Sequence, residues 1–315
     1  MSATVLAGAP LRRDLLVIFN PTAGWWRSRR LRATLAKLER RGCRVTLKQT
    51  GARGDAEAFA RAAGAPAAVP VDLVVAAGGD GTINEVVNGL AQEAGPRLPL
   101  ALLPIGTANV LANEIGLATD PAAIAREIAD GAARPIALGR ANGRCFTMMA
   151  GVGFDAHVVA GLDRRLKRLL GKGAYVVESL RQLGRFGFPR YRVTVDGVAY
   201  DAASVIVARG RFYGGRFVCA PEAGLQTAAL HVCLFDRGGR AAVLRYALAL
   251  MLGLLPRLSD YRVVPGREVL IDGPEGDPVQ GDGDIIARLP VTIDLDPTAL
   301  SLVVPGAGKW HSFPK

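Results

Sequence analysis

The sequence predicts an α/β fold in two parts: a doubly wound, three-layer N-terminal domain followed by a mainly antiparallel β domain. Strand-like and helix-like segments alternate up to about residue 137, which indicates a mostly parallel sheet with helices on both faces. Strand-like segments then predominate as far as about residue 290. With 315 residues, half of them hydrophobic, the chain is long enough for two cores. We therefore assign residues 1–137 to the first domain, expect 291–315 to complete it, and assign 138–290 to the second.

Glycine and proline mark the places where strands of the first domain end. Three such turns follow strand-like segments, at Asn20–Gly24, Gly78–Gly81 and Pro104–Asn109. Because the carboxyl ends of parallel strands meet at one edge of a sheet, these turns are expected to line one crevice. The strands of this domain are predicted at 15–19, 44–50, 73–77 and 100–103.

The second domain is predicted from segments in which apolar and polar residues alternate. Tyr191–Val195 alternates in this way, and Asp196-Gly197 is a typical two-residue hairpin turn into Val198–Asp201. Two helical insertions are expected within this β region, at about 163–185 and 240–255.

The most informative segment is Leu73–Asn84. An apolar strand ends there in the turn Gly78–Gly81, and helical spacing begins at Ile83. Free N–H groups at a helix start bind anions, and glycines let phosphate oxygens approach the main chain. The Asp80 carboxylate would repel phosphate unless a cation lies between them, so the turn indicates nucleotide phosphates together with a divalent metal. A glycine turn that merely packs a strand against a helix is the alternative.

The junction between this turn and the helix carries Thr82 and Glu85, three positions apart. The spacing is typical of a capping box, in which both side chains satisfy free N–H groups at the helix start. We therefore predict that the helix begins with Thr82 as its cap.

The net charge of +11 predicts a partner that carries negative charge. Basic residues accompany tryptophan or leucine at 25–32 and at 164–169, a combination suited to a membrane interface. A solvated helix face with its apolar residues turned inward is the alternative for both segments. No nucleic-acid-binding motif accompanies the charge, so nucleic acid is not expected as a partner.

Cysteine usage and hydropathy indicate the compartment. The four cysteines are scattered and form no metal-type or disulfide-type motif, which fits a reducing cytosol. The most apolar segment, 244–258, is interrupted by arginine, glycine and proline; it is too short to span a bilayer and is interpreted as a core helix. We expect a cytoplasmic protein that reaches the inner face of the membrane only peripherally. Its oligomeric state stays open, with a homodimer among the alternatives.

Six sequence blocks together resemble the diacylglycerol kinase catalytic family, in its soluble bacterial branch, which is related to the NAD kinases. The turn Gly-Gly-Asp-Gly-Thr alone is shared with NAD kinases and phosphofructokinases, but the ordered set is specific and spans nearly the whole chain. The blocks are 20–24 (Asn-Pro-Thr-Ala-Gly), 78–85 (Gly-Gly-Asp-Gly-Thr-Ile-Asn-Glu), 104–109 (Pro-Ile-Gly-Thr-Ala-Asn), 150–155 (Ala-Gly-Val-Gly-Phe-Asp), 213–215 (Tyr-Gly-Gly) and 280–284 (Gln-Gly-Asp-Gly-Asp).

The resemblance implies ATP in the cleft of a two-domain fold, dependence on Mg²⁺, and transfer of the γ-phosphate to a lipid hydroxyl. The acceptor would be diacylglycerol or a related lipid, met at the membrane surface. Asn20 and Thr50 would donate hydrogen bonds to ATP, and Thr107 would cap a helix that points at phosphate. The implied ATP contacts are Asn20, Pro21, Thr22, Ala23, Gly24, Thr50, Gly78, Gly79, Asp80, Gly81, Thr82, Ile83, Asn84, Glu85 and Thr107.

The late turn Asp282-Gly283-Asp284 offers two carboxylates on one side of an extended segment. In the family this place reads Asp-Gly-Glu and supplies the general base that takes the proton from the lipid hydroxyl. Asp284 is shorter than the usual glutamate by one methylene. The resemblance therefore implies that Asp282 or Asp284 is the base, and that Asp80 organises magnesium and phosphate.

The chain departs from the family pattern at three places. Val110 and Ala137 stand where relatives often carry acids that help to hold magnesium, which implies a simpler metal shell around Asp80. Ala228-Ala229 replaces an Asp-Gly pair that commonly anchors a structural magnesium, so a second metal site is not expected.

Two other functions fit parts of this pattern. A kinase of a soluble acceptor such as NAD would share the Asp80 turn, but the long β-rich half and the block 106–109 argue against it. A nucleotide- or lipid-binding regulator without turnover would explain the departures from the family. The retention of Asp80, Asp282 and Asp284 makes that alternative the weaker one.

Overall fold

The first part of the chain forms a six-stranded sheet of the predicted, mostly parallel kind. The computed structural model describes residues 13–21, 25–65, 68–91, 97–163, 171 and 173–306, without the side chains of 25–28. The spatial order of the strands is β2-β1-β3-β4-β20-β5, and only β5 runs antiparallel to its neighbour. These strands are β1 (Asp14–Phe19), β2 (Arg44–Gln49), β3 (Leu73–Gly78), β4 (Leu100–Pro104), β5 (Ala132–Ile136) and β20 (Leu300–Val304).

Helices cover both faces of this sheet, which confirms the three-layer prediction. Successive side chains of a strand point to opposite faces. Thus Val17 belongs to a core shared with α1 and α5, whereas the next residue, Ile18, belongs to a core shared with α2 and α3. The four helices are α1 (Trp25–Arg40), α2 (Asp55–Gly64), α3 (Asp80–Ala91) and α5 (Pro121–Asp130); the short α4 (Val110–Glu114) follows β4.

The second part is a sandwich of two antiparallel sheets, which confirms the prediction of a mainly antiparallel β domain. Their strand orders are β10-β9-β16-β19-β6-β7 and β15-β14-β11-β8-β17-β18, and alternate apolar residues from both sheets form a core between them. The strands are β6 (Gly139–Ala141), β7 (Arg144–Phe146), β8 (Met149–Val152), β9 (Tyr191–Val195), β10 (Val198–Ala202), β11 (Ser204–Ala208), β14 (Leu230–Phe235), β15 (Tyr261–Gly266), β16 (Val269–Asp272), β17 (Pro278–Gly281), β18 (Asp284–Arg288) and β19 (Val291–Leu295), with a separate hairpin of β12 (Phe212–Tyr213) and β13 (Phe217–Val218).

The chain joins the first sheet again later than the predicted residue 291. Strand β19 pairs with β16 and β6 in the sandwich, where Ile293 is fully buried. Only β20 lies in the first sheet, between β4 and β5. The alternation of apolar residues in β19 would fit the first sheet or the sandwich equally well. Which sheet the strand joins is therefore decided by its pairing partners, which lie far away in sequence.

Within the described residues, three α-helices accompany the sandwich: α6 (Phe154–Gly161), α7 (Gly173–Arg185) and α8 (Arg240–Met251). The interpretation of 244–258 as a core helix was wrong, because α8 ends at Met251 and buries only Tyr246 and Ala249. Its apolar residues are distributed around the helix, whereas the sandwich contacts it on one side. Among the described residues, none of the helices combines the length and apolarity needed to cross a membrane.

A fully buried arginine organises the loop before β14. Arg209 follows β11 and has no exposed surface. Burial lowers the pKa of Arg209 to about 10, which leaves its guanidinium charged at neutral pH. None of the ion pairs among the described residues includes it; its partners are backbone carbonyl oxygens. The guanidinium donates to the carbonyls of Ala137, Gly224, Leu225, Thr227 and Ala229.

This carbonyl cage lies at the place where the sequence lacks the expected Asp-Gly pair. Ala229 accepts one of the hydrogen bonds, and Ala137, another departure from the family pattern, accepts a second at 3.1 Å. Converging carbonyl oxygens are typical ligands of a hard cation. Arg209 therefore supplies, from within the chain, the positive charge that holds this loop.

Replacing Arg209 by methionine is expected to lower the free energy of unfolding by at least about 3 kcal/mol, because several buried carbonyls lose their donors. Urea unfolding measures this change. Arg192→Met is the matched control, since Arg192 is exposed on β9; its effect should stay within about 0.5 kcal/mol. Equal losses in the two variants would contradict the role of the cage.

Candidate active site

The three glycine- or proline-marked turns of the first sheet meet, as their positions after strand ends predict. A Cβ on Gly106 would lie 2.3 Å from the Cα of Gly79, so the two backbones are in contact and both positions need glycine. The Asn20 backbone N–H donates to the Ala77 carbonyl at 3.1 Å, and its side-chain amide donates to the Thr82 hydroxyl at 3.3 Å. Pro21 is described after Asn20, whereas Thr22, Ala23 and Gly24 lie outside the described residues.

Asp80 connects two of these turns. It is the first residue of α3, and its carboxylate accepts the backbone N–H of Asn109 at 2.9 Å and that of Val110 at 2.6 Å. Burial raises the pKa of Asp80, the N–H of Val110 opposes that shift, and the nearby negative charge of Asp282 adds to it. The site therefore concentrates negative charge in a poorly solvated place, which favours a cation nearby.

Two capping predictions were wrong. Helix α3 begins at Asp80 rather than after Thr82, so the Thr82 hydroxyl lies within the first turn, buried, and accepts from Asn20. Helix α4 begins at Val110, two positions too late for Thr107 to be its cap, and Thr107 is exposed. The Asp80 carboxylate, distant in sequence, accepts the N–H groups that the predicted cap would have satisfied.

Thr50 lies at the end of β2, behind the crevice. It is buried, and its hydroxyl donates to the Phe19 carbonyl at 3.4 Å. The loop after it is closed by Asp55, which accepts the N–H groups of Gly51 and Ala52. These backbone hydrogen bonds hold the pKa of Asp55 below its usual value.

The Asp282 carboxylate is saturated with hydrogen-bond donors. One oxygen accepts the N–H groups of Met148 at 2.9 Å and Met149 at 3.1 Å. The other accepts the N–H and hydroxyl of Thr147 at 2.7 and 2.9 Å, and the Asn84 amide at 3.2 Å. A carboxylate offers about four lone-pair sites, and five donors occupy them here. Asp282 therefore has little lone-pair capacity left to accept a further hydrogen bond from a bound molecule.

Helix α3 reaches the sandwich through two buried amides. Asn84 donates to the Cys145 carbonyl at 3.1 Å in addition to Asp282. Asn88 accepts the N–H of Cys145 at 2.9 Å and donates to its carbonyl at 3.0 Å. The helix that begins with Asp80 is thus hydrogen-bonded to β7 and to the 282–284 turn, and it sets the distance between them.

Asp284 is partly exposed and has fewer partners than Asp282. Its side chain is 38% exposed, and its one ion pair in the described residues joins it to Arg53 at 3.6 Å. A Cβ on Gly81 would lie 2.9 Å from an Asp284 oxygen, so this carboxylate contacts the start of α3. It faces a cleft of about 310 Å³ between the two parts of the chain, lined by Arg53, Gly54, Glu57, Asn84, Glu85, Arg144, Asp284, Ile285 and Ile286.

The structure also brings together side chains to which the sequence assigned no role. Asp155, after β8, accepts hydrogen bonds from the Tyr213 hydroxyl and from Gln280. Gln280 in turn accepts the N–H of Gly283 at 2.9 Å. Burial raises the pKa of Asp155. Each of these residues belongs to a block that carried the family resemblance, and that membership was the signal available in the sequence.

Comparison with known proteins agrees with this arrangement. The Diacylglycerol kinase catalytic domain matches residues 14–141, and the YegS C-terminal NAD kinase beta sandwich-like domain matches residues 148–304. A diacylglycerol kinase of Bacillus subtilis is 30% identical over 252 residues, which cover 79% of this chain and 81% of that protein. The chain belongs to the diacylglycerol kinase family.

Two further relatives extend the match within the diacylglycerol kinase family. A diacylglycerol kinase of Mycobacterium tuberculosis is 30% identical over 317 residues, covering 96% of this chain and all of that protein. The crystal structure of a diacylglycerol kinase from Bacillus anthracis superposes with a TM-score of 0.73 at 24% identity, over 94% of this chain and 98% of that one. This likeness establishes the shared fold.

The residues of this family member fit a magnesium ion that arrives with nucleotide phosphates. Mg²⁺ is typically held by one or two carboxylates, with phosphate oxygens and waters completing its shell. Each oxygen of Asp80 accepts one N–H group and keeps a lone pair. In the described part of the chain, no group of three or more His, Cys, Asp or Glu residues could hold a metal unaided. Asp80 is the carboxylate that would hold such an ion.

The contact between the two glycine turns gives a test of the crevice. In Gly106→Ala the new methyl would displace Gly79, so we expect a loss of about 1–3 kcal/mol in unfolding free energy and at least about tenfold weaker nucleotide binding. Urea unfolding and titration with a non-hydrolysable ATP analogue measure both. Gly184→Ala is the control, because its Cβ would meet nothing within 4 Å; equal nucleotide affinity in the two variants would be incompatible with this geometry.

Asp282→Asn tests the saturated carboxylate. The asparagine amide would bring donors towards N–H groups that need an acceptor, so the unfolding free energy should fall by about 2–3 kcal/mol. Asp201→Asn, an exposed position on β10, serves as control and should change it by less than about 0.5 kcal/mol. If both variants unfold at the same urea concentration, Asp282 does not hold the two parts of the chain together.

Proposed function

We propose that this protein is an ATP- and Mg²⁺-dependent lipid kinase that transfers the γ-phosphate to the hydroxyl of diacylglycerol or a related lipid. The observation that carries the proposal is the Asp284 carboxylate, which lies in the cleft between the two parts of the chain and against the start of α3. The names of the Bacillus subtilis and Mycobacterium tuberculosis relatives, both diacylglycerol kinases, support the choice of acceptor.

Asp284 is the better general base of the two carboxylates in the 282–284 turn. A base must accept a proton from a bound hydroxyl within hydrogen-bond reach. Asp282 is occupied by five donors, whereas Asp284 has one arginine at 3.6 Å and a side chain that is 38% exposed. The shorter side chain of aspartate is compensated if the 282–284 turn lies close to α3, and the contact with Gly81 supports that.

Two arginines supply positive charge in the same cleft. Arg53 precedes α2, and Arg144 belongs to β7 and pairs with Glu57 at 2.6 Å. Phosphoryl transfer depends mainly on positioning and on neutralising the charge spread over phosphate oxygens. Arg53, whose partner is the proposed base, is the arginine placed to move between Asp284 and a phosphate.

In the proposed step one bond forms, one bond breaks and one proton is transferred. The lipid hydroxyl oxygen forms a bond to the γ-phosphorus, its proton passes to Asp284, and the bond from the γ-phosphorus to the bridging oxygen breaks, which releases ADP. Bound magnesium, held by Asp80, supplies neutralisation of the phosphate charge. Asn84 and Gln280 position the turn that carries the base, through Asp282 and Gly283 respectively.

Asp284→Asn is expected to lower kcat by about 10²–10⁴-fold while leaving the unfolding free energy nearly unchanged, since the side chain makes few contacts. Asp284→Glu keeps the carboxylate and should retain most of the activity. Steady-state phosphate transfer from labelled ATP measures both, with Asp201→Asn as control. An Asp284→Asn enzyme that is as active as the control would exclude Asp284 as the base.

The acceptor is identified by offering labelled ATP and a panel of lipids in mixed micelles, with Asp80→Ala as the inactive reference. We expect labelled product from diacylglycerol or a related lipid, dependent on Mg²⁺. Labelling of NAD in detergent-free buffer instead would move the function to a soluble acceptor. Tight binding of ATP with no labelled product from any acceptor would indicate a regulator without turnover.

A further inference from the structure

Helix α8 presents an apolar face without a partner in the described structure. The residues lie at positions i, i+4, i+7 and i+8 and therefore on one side of the helix. Each exposes more than half of its surface, whereas Tyr246 and Ala249 on the other side are buried. We name this face the α8 apolar stripe; it consists of Leu244 (56% exposed), Leu248 (53%), Met251 (57%) and Leu252 (62%). Exposed apolar patches of this kind mark interaction sites.

The charges around the α8 apolar stripe are of one sign. Residues 237–259 contain four arginines and no aspartate or glutamate. Two acids flank this segment, and both are paired: Asp260, only 10% exposed, with Arg237 and Arg245, and Asp236, 29% exposed, with Arg262. Arg240 donates to backbone carbonyls at the end of α7, and Arg257 is exposed beyond the helix. The surface is therefore apolar with a net positive border.

We propose that the α8 apolar stripe docks the protein on the surface of an anionic lipid bilayer, with α8 lying in the plane of the interface. The aliphatic side chains would enter the boundary between head groups and acyl chains, and the arginines would meet lipid phosphates. Twelve residues give a helix of about 18 Å, too short to cross the hydrocarbon core. The inference rests on the proposed function in one respect: a lipid kinase must take its acceptor from such a surface.

The charge distribution favours a bilayer over a second copy of the chain. Two copies joined through the stripe by a twofold axis would bring the arginines of one against those of the other. Residues 237–259 offer no acid to pair with them, and the flanking Asp236 and Asp260 are already engaged. Anionic head groups, in contrast, complement this border.

Contacts connect α8 with the candidate active site. The helix contacts β13, the second strand of the 212–218 hairpin, and the first strand of that hairpin contacts α4. At that contact Asn113 donates to the Gly215 carbonyl at 3.3 Å and accepts from Arg216 at 3.1 Å. The first N–H of α4 is held by Asp80. A bilayer bound at α8 is therefore linked to the phosphate-binding turn by one hairpin.

The basic segments singled out in the sequence lie only partly within the described residues, and the side chains of 25–28 are not among them. Arg30 of α1 donates to the carbonyls of Pro104 and Thr119, so it braces the end of β4. The segment 164–170 lies outside the described residues. Among the described residues, exposure and charge single out α8.

Sedimentation of the full chain with vesicles tests the docking. The test variant is Leu248→Gln/Met251→Gln, and the control is Val198→Gln, an equally exposed apolar residue on β10 (57%). On phosphatidylglycerol vesicles we expect at least about tenfold weaker binding of the double variant and no change in the control. Arg257→Gln should weaken binding about fivefold on phosphatidylglycerol and leave weak binding to phosphatidylcholine unchanged. Equal binding of the double variant and the control overturns the proposal.

A second measurement separates docking from catalysis. Phosphate transfer to diacylglycerol in vesicles should fall with vesicle binding in the double variant, while transfer to a monomeric short-chain diacylglycerol should be unchanged. If the wild type labels no lipid but the double variant still loses vesicle binding, docking stands and the kinase proposal fails. If the wild type is a dimer without vesicles and the double variant a monomer, the stripe is a contact between copies and the docking proposal is wrong.

Discussion

The hydrogen bonds between the Asp282 carboxylate, helix α3 and the start of β8 hold the two parts of the molecule in register. Asn84 of α3 donates to Asp282, whose oxygens also accept three successive backbone N–H groups from Thr147 to Met149. A buried carboxylate with its donors in place is favourable, and it becomes costly once one of them is lost. The same helix carries Asp80 at its start, so the position of the glycine turn 78–81 relative to the 282–284 turn follows from this one network.

The surroundings of Asp80, Asp282 and Asp284 suit these three carboxylates to different roles. Asp80 joins two turns by accepting N–H groups from the start of α4 and lies where negative charge accumulates. Asp282 is fully engaged in holding the sandwich to α3. Asp284 remains partly exposed and contacts an arginine across the cleft. The division of labour proposed for the kinase, with a metal ligand, a positioning residue and a base, follows from these partners rather than from residue type.

Positive charge is used in two contrasting ways. Inside, the Arg209 guanidinium satisfies backbone carbonyls of the loop before β14, where a desolvated cation is stable only because hydrogen bonds surround it. Outside, arginines border the α8 apolar stripe, and among them the exposed Arg257 is placed to meet an anionic surface. The net charge of +11 bears on association more than on folding.

The sequence by itself determined the fold class, the converging turns and the family, because strand alternation, glycine turns and ordered motif blocks are local signals. Tertiary structure decided three other features: the return of the chain to the first sheet only at β20, the helix starts at Asp80 and Val110, and the exposure of α8. Each depends on a partner distant in the chain: β19 pairs with β6, and Asp80 replaces the predicted caps. Likewise, the sequence offers Asp282 and Asp284 as equivalent candidates for the base. Only the hydrogen-bond donors that surround Asp282 in the folded chain distinguish it from Asp284.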